Sequence, residues 1–263
     1  MSNLNNVFKN NKAFIPFVVA CDPDFDTTVA NIIALAEGGA DIVELGIPFS
    51  DPVADGPVIQ AADMRALTNK PDLTMDDVFD IVKKVRLTTA IPIVLLTYSN
   101  IIFQYGYAAF CKKCAALAID GLVIPDMPLE EQTELKHFTD KANLALIPLI
   151  TPTSGVRIAK IAQAASGFIY VVSSLGVTGL RANFDQNLAD VIAQIKNVSA
   201  IPTAIGFGIH TATQAQTMAK FADGVIVGSA CVQIVAKYQK MAPPYLKQYT
   251  QTMKQSIAST LDE

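Results

Sequence analysis

The chain has 263 residues, 20 Lys and Arg against 24 Asp and Glu for a formal charge of −4, and only 17% charged residues against 51% hydrophobic ones. That length builds its own core without disulfides or a structural metal, and mild acidity without a basic stripe excludes nucleic acid or an anionic membrane as the main partner. An anionic substrate stays open, because backbone amides can hold it. Four cysteines, no apolar run near the roughly 18 to 20 residues of a membrane helix, and the start MSNLNNVFKNNKAF, which is no signal peptide, read as a reduced, cytoplasmic protein.

Short β-branched or Leu-rich runs alternate with longer helical patterns from end to end. Strands are expected over 15–20, 41–46, 91–98, 121–126, 144–150, 167–173, 201–206 and 224–228. These runs are apolar on both faces, as parallel strands covered on both sides must be. Between them, Val29, Ile32, Ile33 and Ala36 form one helical stripe, and Val78, Ile81, Val82 and Val85 another, opened by a Thr74-x-x-Asp77 capping signal. Ala40 to Gly46, Ile119 to Asp126 and Ala222 to Gly228 echo one another as repeated strand–helix units. Eight units average about 33 residues, which fits a (β/α)8 TIM barrel of the α/β class. The whole chain, 1–263, is expected to form that single domain with extra N- and C-terminal helices, the latter over 243–261 after the Pro243-Pro244 punctuation.

The reaction site of such a barrel lies at the C-terminal ends of its strands. Glu44 sits in an otherwise apolar strand, where desolvation raises a carboxyl pKa and suits it to carry a proton. A salt-bridged core Glu is the plainer alternative. Asp55, in the Pro- and Gly-dense loop that follows, can fold back opposite Glu44, so that one carboxyl is buried and titrates while the other is solvated and ionised. Gly176-Val-Thr-Gly179, Gly206-Phe-Gly208 and Gly228-Ser229 follow the last three strands, where barrels place a phosphate on backbone amides and a helix N-terminus. Phe17, Ile59, Leu96, Tyr98, Ile150, Tyr170 and Phe207 fall near strand ends or in their loops and together suit a flat aromatic group. Cys111-Lys-Lys-Cys114 lies in a helical pattern without the further ligands a metal needs, so no metal is expected. Glu130, Glu131 and Glu134 favour a helix start.

The run Glu44-Leu-Gly-Ile-Pro-Phe-Ser-Asp-Pro-Val-Ala-Asp55-Gly-Pro57, with Asp22-Pro23-Asp24 before it and Gly-Val-Thr-Gly and Gly-Phe-Gly-Ile after it, closely resembles the tryptophan synthase alpha subunit family. The match runs in order over nearly the whole chain. It implies retro-aldol cleavage of indole-3-glycerol phosphate to indole and glyceraldehyde 3-phosphate. By that resemblance Glu44 moves the protons at indole C3 and at the neighbouring hydroxyl, Asp55 accepts from the indole N–H, Tyr170 sits beside Glu44, and Thr178 closes the site and orients Asp55. Gly179, Gly208, Gly228 and Ser229 would take the phosphate, and Phe17, Ile59, Leu96, Tyr98 and Phe207 the indole. The resemblance further implies a complex of two alpha and two beta subunits. Pyridoxal phosphate belongs to the beta subunit, which receives indole internally, and no cofactor belongs to this chain. The contact face would include 51–57 and 126–128. Two departures stand out: Ser174-Leu175 where many relatives carry an Arg, and Cys21 in place of a usual Gly before Asp22-Pro23. A rival barrel reaction, the ring closure that forms indole-3-glycerol phosphate, wants a Lys acid at a strand end, and the strand ends here offer Glu44. A non-catalytic subunit that only activates its partner is the rival of another class, and the presence of both carboxyls argues against it.

Overall fold

The computed structural model describes residues 4–172, 181–206 and 208–261. Its strands are β1 (Ala13–Val19), β2 (Val43–Gly46), β3 (Ile93–Leu96), β4 (Gly121–Val123), β5 (Ala145–Ile147), β6 (Leu149–Ile150), β7 (Ile169–Val172), β8 (Thr203–Gly206) and β9 (Gly224–Val227). Every pairing among the described residues is parallel, in the order β5-β4-β3-β2-β1-β9-β8-β7-β6.

The two ends of that order are joined through Pro148 alone, so the expected fifth strand, 144–150, is β5 and β6 together and closes the ring. β5 pairs with β4 and β6 with β7, while Tyr170 N donates to Pro148 O at 3.0 Å. Proline has no N–H to give a ladder, so the change of partner falls where no donor is lost. Eight strands were legible in the sequence; the split of one of them at its proline was not.

Successive strand residues point to opposite faces. One set, including Ile15, Ile42, Val94, Ile147, Phe168 and Ile226, fills the barrel interior, and the alternate set, including Phe14, Val43, Leu45, Ile93 and Leu95, packs under the helices. The lower end of the interior is filled from the N-terminus. Leu4, in the short helix Leu4–Val7, is fully buried, and Phe8 joins the same cluster. Glycines make room for both side chains: a Cβ at Gly167 would lie 3.1 Å from Leu4 Cδ1, and one at Gly224 would lie 3.0 Å from Phe8 Cε1.

The helical stripes form as read. Phe25–Glu37 buries Val29 and Ile32, and Met75–Val85 buries Val78, Ile81, Val82 and Val85 behind a capping box in which Thr74 and Asp77 satisfy each other's backbone N–H. The C-terminal helix runs over Ala242–Ala258 with Pro243 and Pro244 in its first turn, and Ser259–Leu261 tightens into a 3-10 turn. It packs on Phe25–Glu37 and ties the chain ends together. Lys254 Nζ reaches Asp41 Oδ2 at 2.6 Å and Asn11 Oδ1 at 2.8 Å, and Phe14 N donates to the same Asp41 oxygen at 2.7 Å. Because all strands are parallel, their C-terminal ends share one mouth, floored by the packed interior.

Leu4→Ala should lower the free energy of unfolding by about 2–5 kcal/mol, the cost of a cavity at a site that cannot collapse, as measured by urea denaturation.

Candidate active site

Glu44 lies in β2, opposite Phe17 of β1 and Val94 of β3. It is 3% exposed, and its Oε1 meets no hydrogen-bond donor among the described residues. No cation pairs with it among those residues, which speaks against the salt-bridged alternative. Burial, and then the charge of Asp55, push its carboxyl from 4.5 up to about 8. At neutral pH it therefore holds a proton that it can release and recover.

Asp55 lies in the loop between β2 and the helix Pro57–Asn69. Turn bonds shape this loop: Asp55 N donates to Pro52 O at 3.1 Å, and Gln60 Nε2 returns to Asp55 O at 2.8 Å. Tyr98, just beyond β3, fixes the carboxyl itself. Its hydroxyl donates to Asp55 Oδ2 at 2.7 Å and accepts from Ala54 N at 3.1 Å, while its ring stacks on Phe49 at 4.9 Å. The sequence suggested a solvated Asp55, but the loop half-buries it. Burial pushes its carboxyl up and the Tyr98 hydrogen bond draws it down, which leaves the two carboxyls in different surroundings as the proton chemistry needs. Tyr98, expected only as part of an aromatic wall, is the group that holds Asp55.

Tyr170 on β7 faces the same interior and is buried. Burial first, then the charges of Glu44 and Asp55, keep its phenol protonated, so it stands within electrostatic reach of both as a donor. Its ring lies over Gly206, where a Cβ would come within 2.7 Å of Tyr170 Cζ. Gly46 does the same for Phe17, where a Cβ would fall 2.6 Å from Phe17 Cε2. Two rings are thus seated on two side-chain-free strand ends.

Phe17 and Ile59 both reach Gly228, whose position for a Cβ lies 3.7 Å from Phe17 Cδ1 and 3.6 Å from Ile59 Cδ1. Leu96, half-buried at the end of β3, pairs with Gly46. Gly228 caps the helix Ser229–Tyr238, whose first amides have no partner within the helix, and Ser229 is exposed beside it. Gly208 has φ +75°, a conformation side chains rarely adopt, and its carbonyl meets His210 Nδ1 at 3.0 Å. Thr178, Gly179, Phe207 and the Ser174-Leu175 departure lie outside the described residues. Ile150 is a correction: it turns away from the mouth into the strand–helix layer. Cys21 has φ +60°, so the residue at the expected glycine position keeps the glycine-type backbone. Cys111 and Cys114 are buried in the helix Tyr107–Ala116, and burial pushes both thiols up, Cys111 to about 11.

Arg65 and Asp63 escaped the sequence reading, and Asp22 entered it only as part of a motif. Asp22, 2% exposed, is held by Arg65 through Nε at 2.9 Å and Nη2 at 2.7 Å. Asp63, 4% exposed, sits on the buried stripe of Pro57–Asn69 with Ala62 and Ala66. The available signal was a carboxylate on a stripe otherwise made of small apolar residues.

The comparisons with known proteins agree with this geometry. The family model described as tryptophan synthase alpha chain matches residues 3–260. The tryptophan synthase alpha chain of Lacticaseibacillus casei is 60% identical over 98% of this chain and 96% of its own, and that of Lactiplantibacillus plantarum is 55% identical over all of both. Among solved structures, tryptophan synthase subunit alpha from Legionella pneumophila superposes with a TM-score of 0.88 at 34% identity, covering 98% of this chain and 99% of that one. A ligand-free tryptophan synthase from M. tuberculosis also reaches 0.88, at 32% identity over 98% and 100%. The chain belongs to the tryptophan synthase alpha chain family. Its fold is the TIM barrel of that family.

The raised carboxyl of Glu44 has a consequence for stability. A group whose pKa is higher folded than unfolded contributes stability fully below its unfolded value, and that stability is lost as pH rises to its folded value, here between 4.5 and about 8. Glu44→Gln cannot ionise. Its thermal midpoint relative to wild type should therefore rise steadily from pH 4.5 to pH 8, as followed by circular dichroism.

Proposed function

We propose that this member of the tryptophan synthase alpha chain family cleaves indole-3-glycerol phosphate to indole and glyceraldehyde 3-phosphate, a carbon–carbon lyase reaction by retro-aldol chemistry. The carrying observation is Glu44: buried, without a hydrogen-bond donor at Oε1, and holding its proton at neutral pH within electrostatic reach of Asp55 and Tyr170.

The steps balance on that one carboxyl. Glu44 delivers its proton to indole C3, and the ring nitrogen becomes positive. Asp55 accepts the hydrogen bond of the indole N–H and stabilises that charge, with Tyr98 keeping the acceptor in place. Glu44, now a carboxylate, removes the proton of the hydroxyl on the carbon attached to C3. The C3–carbon bond breaks, its electron pair returns to the indole ring, and the hydroxyl carbon becomes the aldehyde of glyceraldehyde 3-phosphate. Glu44 ends as it began, and the cycle closes without a cofactor in this chain. Tyr170 donates beside Glu44 as the charges move.

Phe17, Ile59, Leu96 and Tyr98 supply the apolar walls for indole, joined by Phe207. The amides at Gly208, Gly228 and Ser229 take the phosphate, together with Gly179, in a site where a helix N-terminus compensates an anion. Thr178 closes over the site and orients Asp55, which excludes water once substrate is bound.

The chain works as one barrel domain over 1–263, in the cytoplasm, as the alpha partner of two alpha and two beta subunits. The beta subunit carries pyridoxal phosphate and receives the indole. The solved tryptophan synthase to which this chain is similar supports the pairing. So does the surface, because Val53 on the Asp55 loop is 83% exposed and Phe103 is 68% exposed beside a hollow lined by Asp126, Met127 and Pro128. Among the described residues no helix is long and apolar enough to cross a membrane.

With indole release from indole-3-glycerol phosphate as the assay, Glu44→Gln should lower kcat by about 10²–10⁴-fold, the contribution of a positioned proton carrier. Asp55→Asn should lower kcat by at least about 10²-fold with KM changed by only a few-fold, because its interaction with the ring nitrogen strengthens as that nitrogen becomes positive. Wild-type turnover in a folded Glu44→Gln variant would overturn the mechanism.

A further inference from the structure

Behind the Asp55 loop the charges do not balance. Asp63 lies eight residues beyond Asp55 on the helix Pro57–Asn69 and is 4% exposed. The cation on its own helix, Arg65, gives both Nε and Nη2 to Asp22. The Tyr98 hydroxyl gives its proton to Asp55. No hydrogen bond reaches the Asp63 carboxyl among the described residues. The helix packs on β1 and on Ser229–Tyr238; in the latter, Lys237 lies over the Tyr238 ring at 5.0 Å, and Cys231 is a buried thiol pushed up to about 12. Among the described residues the titratable groups that act on Asp63 are Asp55, Asp22, Arg65 and Tyr98.

Two neighbouring carboxyls with no cation of their own share a single negative charge, and whichever accepts the better hydrogen bond carries it. On that ground, and resting on the reaction proposed above, we propose that Asp63 is a positioning residue: its neutral carboxyl leaves Asp55 as the charged acceptor, and the Tyr98 hydrogen bond decides between the two. Burial and the charges of Asp55 and Asp22 push Asp63 up to about 8, which agrees with this division. When Asp63 does ionise, a second negative charge stands beside Asp55. Asp51, Val53 and Ala54 of the loop are exposed, which leaves it room to relieve the repulsion by carrying Asp55 off its acceptor position.

The test is kcat/KM for indole release from indole-3-glycerol phosphate between pH 6 and 9.5, with and without a tryptophan synthase beta subunit, for wild type, Asp63→Asn, Tyr98→Phe and the double variant. Wild type should lose activity on the alkaline side with the steepness of two ionisations, Glu44 and Asp63, and Asp63→Asn with that of one. The ratio of activity at pH 9 to that at pH 7 should be about tenfold higher in Asp63→Asn. Tyr98→Phe should cost at least about threefold more in the wild-type background than in the Asp63→Asn background, because the charge has nowhere else to go in the latter. A purely structural Asp63 would leave the alkaline limb in place and the two substitutions additive. If Asp63→Asn does not fold, Asp63→Ser takes its place. A folded variant with the wild-type alkaline limb, or equal Tyr98→Phe losses in both backgrounds, overturns the proposal. If wild type releases no indole, the proposed reaction fails instead. The charge assignment is then decided by infrared titration: an aspartic acid band lost near pH 8 in wild type and missing in Asp63→Asn supports it, and no such band overturns it.

Discussion

A carboxyl group placed inside a closed parallel barrel, with no donor to its Oε1 among the described residues, is the constraint on which the rest of this molecule turns. Strand alternation leaves no choice about where Glu44 points, because Ile42 two residues earlier fills the interior and Glu44 must face the same way. The packed interior lies below it, Phe17 stands opposite it on the neighbouring β1, and Tyr170 faces the same interior from β7. The site thus keeps a neutral acid at physiological pH through burial, with no dedicated base or metal required to create it.

The surrounding architecture follows from that requirement. Glycines at the ends of β2 and β8 let the rings of Phe17 and Tyr170 lie against bare backbone, so the walls close around the carboxyl instead of pointing away from it. The carboxyls around it are held differently: Asp55 is half-buried and tied by Tyr98, and Asp22, as buried as Glu44, is held by Arg65. In the proposed reaction backbone amides at Gly208, Gly228 and Ser229 would take the phosphate, so binding the anion would not bring a cation near Glu44. A lysine there would stabilise the carboxylate and draw the proton carrier back toward ordinary acidity. The net charge of −4 is accordingly a poor guide to the charge of the substrate.

Much of this was legible in the sequence, for reasons that can be stated residue by residue. The strands announced themselves because both of their faces are buried, and Glu44 because it is the charged exception within such a run. Thr74 and Asp77 announced a helix start because capping is local chemistry. What the sequence hid depends on contacts across the barrel. The role of Tyr98 is set by a hydrogen bond across 43 residues, and the pair Asp22 and Arg65 by one across the same separation, neither of which leaves a periodic trace. The inward and outward sides of a two-sided apolar strand are equally hydrophobic, which is why Ile150 reads like a mouth residue and is not one. Pro148, inside the single strand expected over 144–150, is where the barrel ladder changes partner.

The most direct measurement of the central claim is the titration of Glu44 itself, by carbon-13 NMR of glutamate side-chain carboxyls in the folded chain, with Glu44→Gln used to assign the signal. A midpoint near 8 is expected, far above the other glutamates. A midpoint near 4.5 would mean that the charged form is stabilised in the barrel after all, and would contradict a site built on a buried neutral acid.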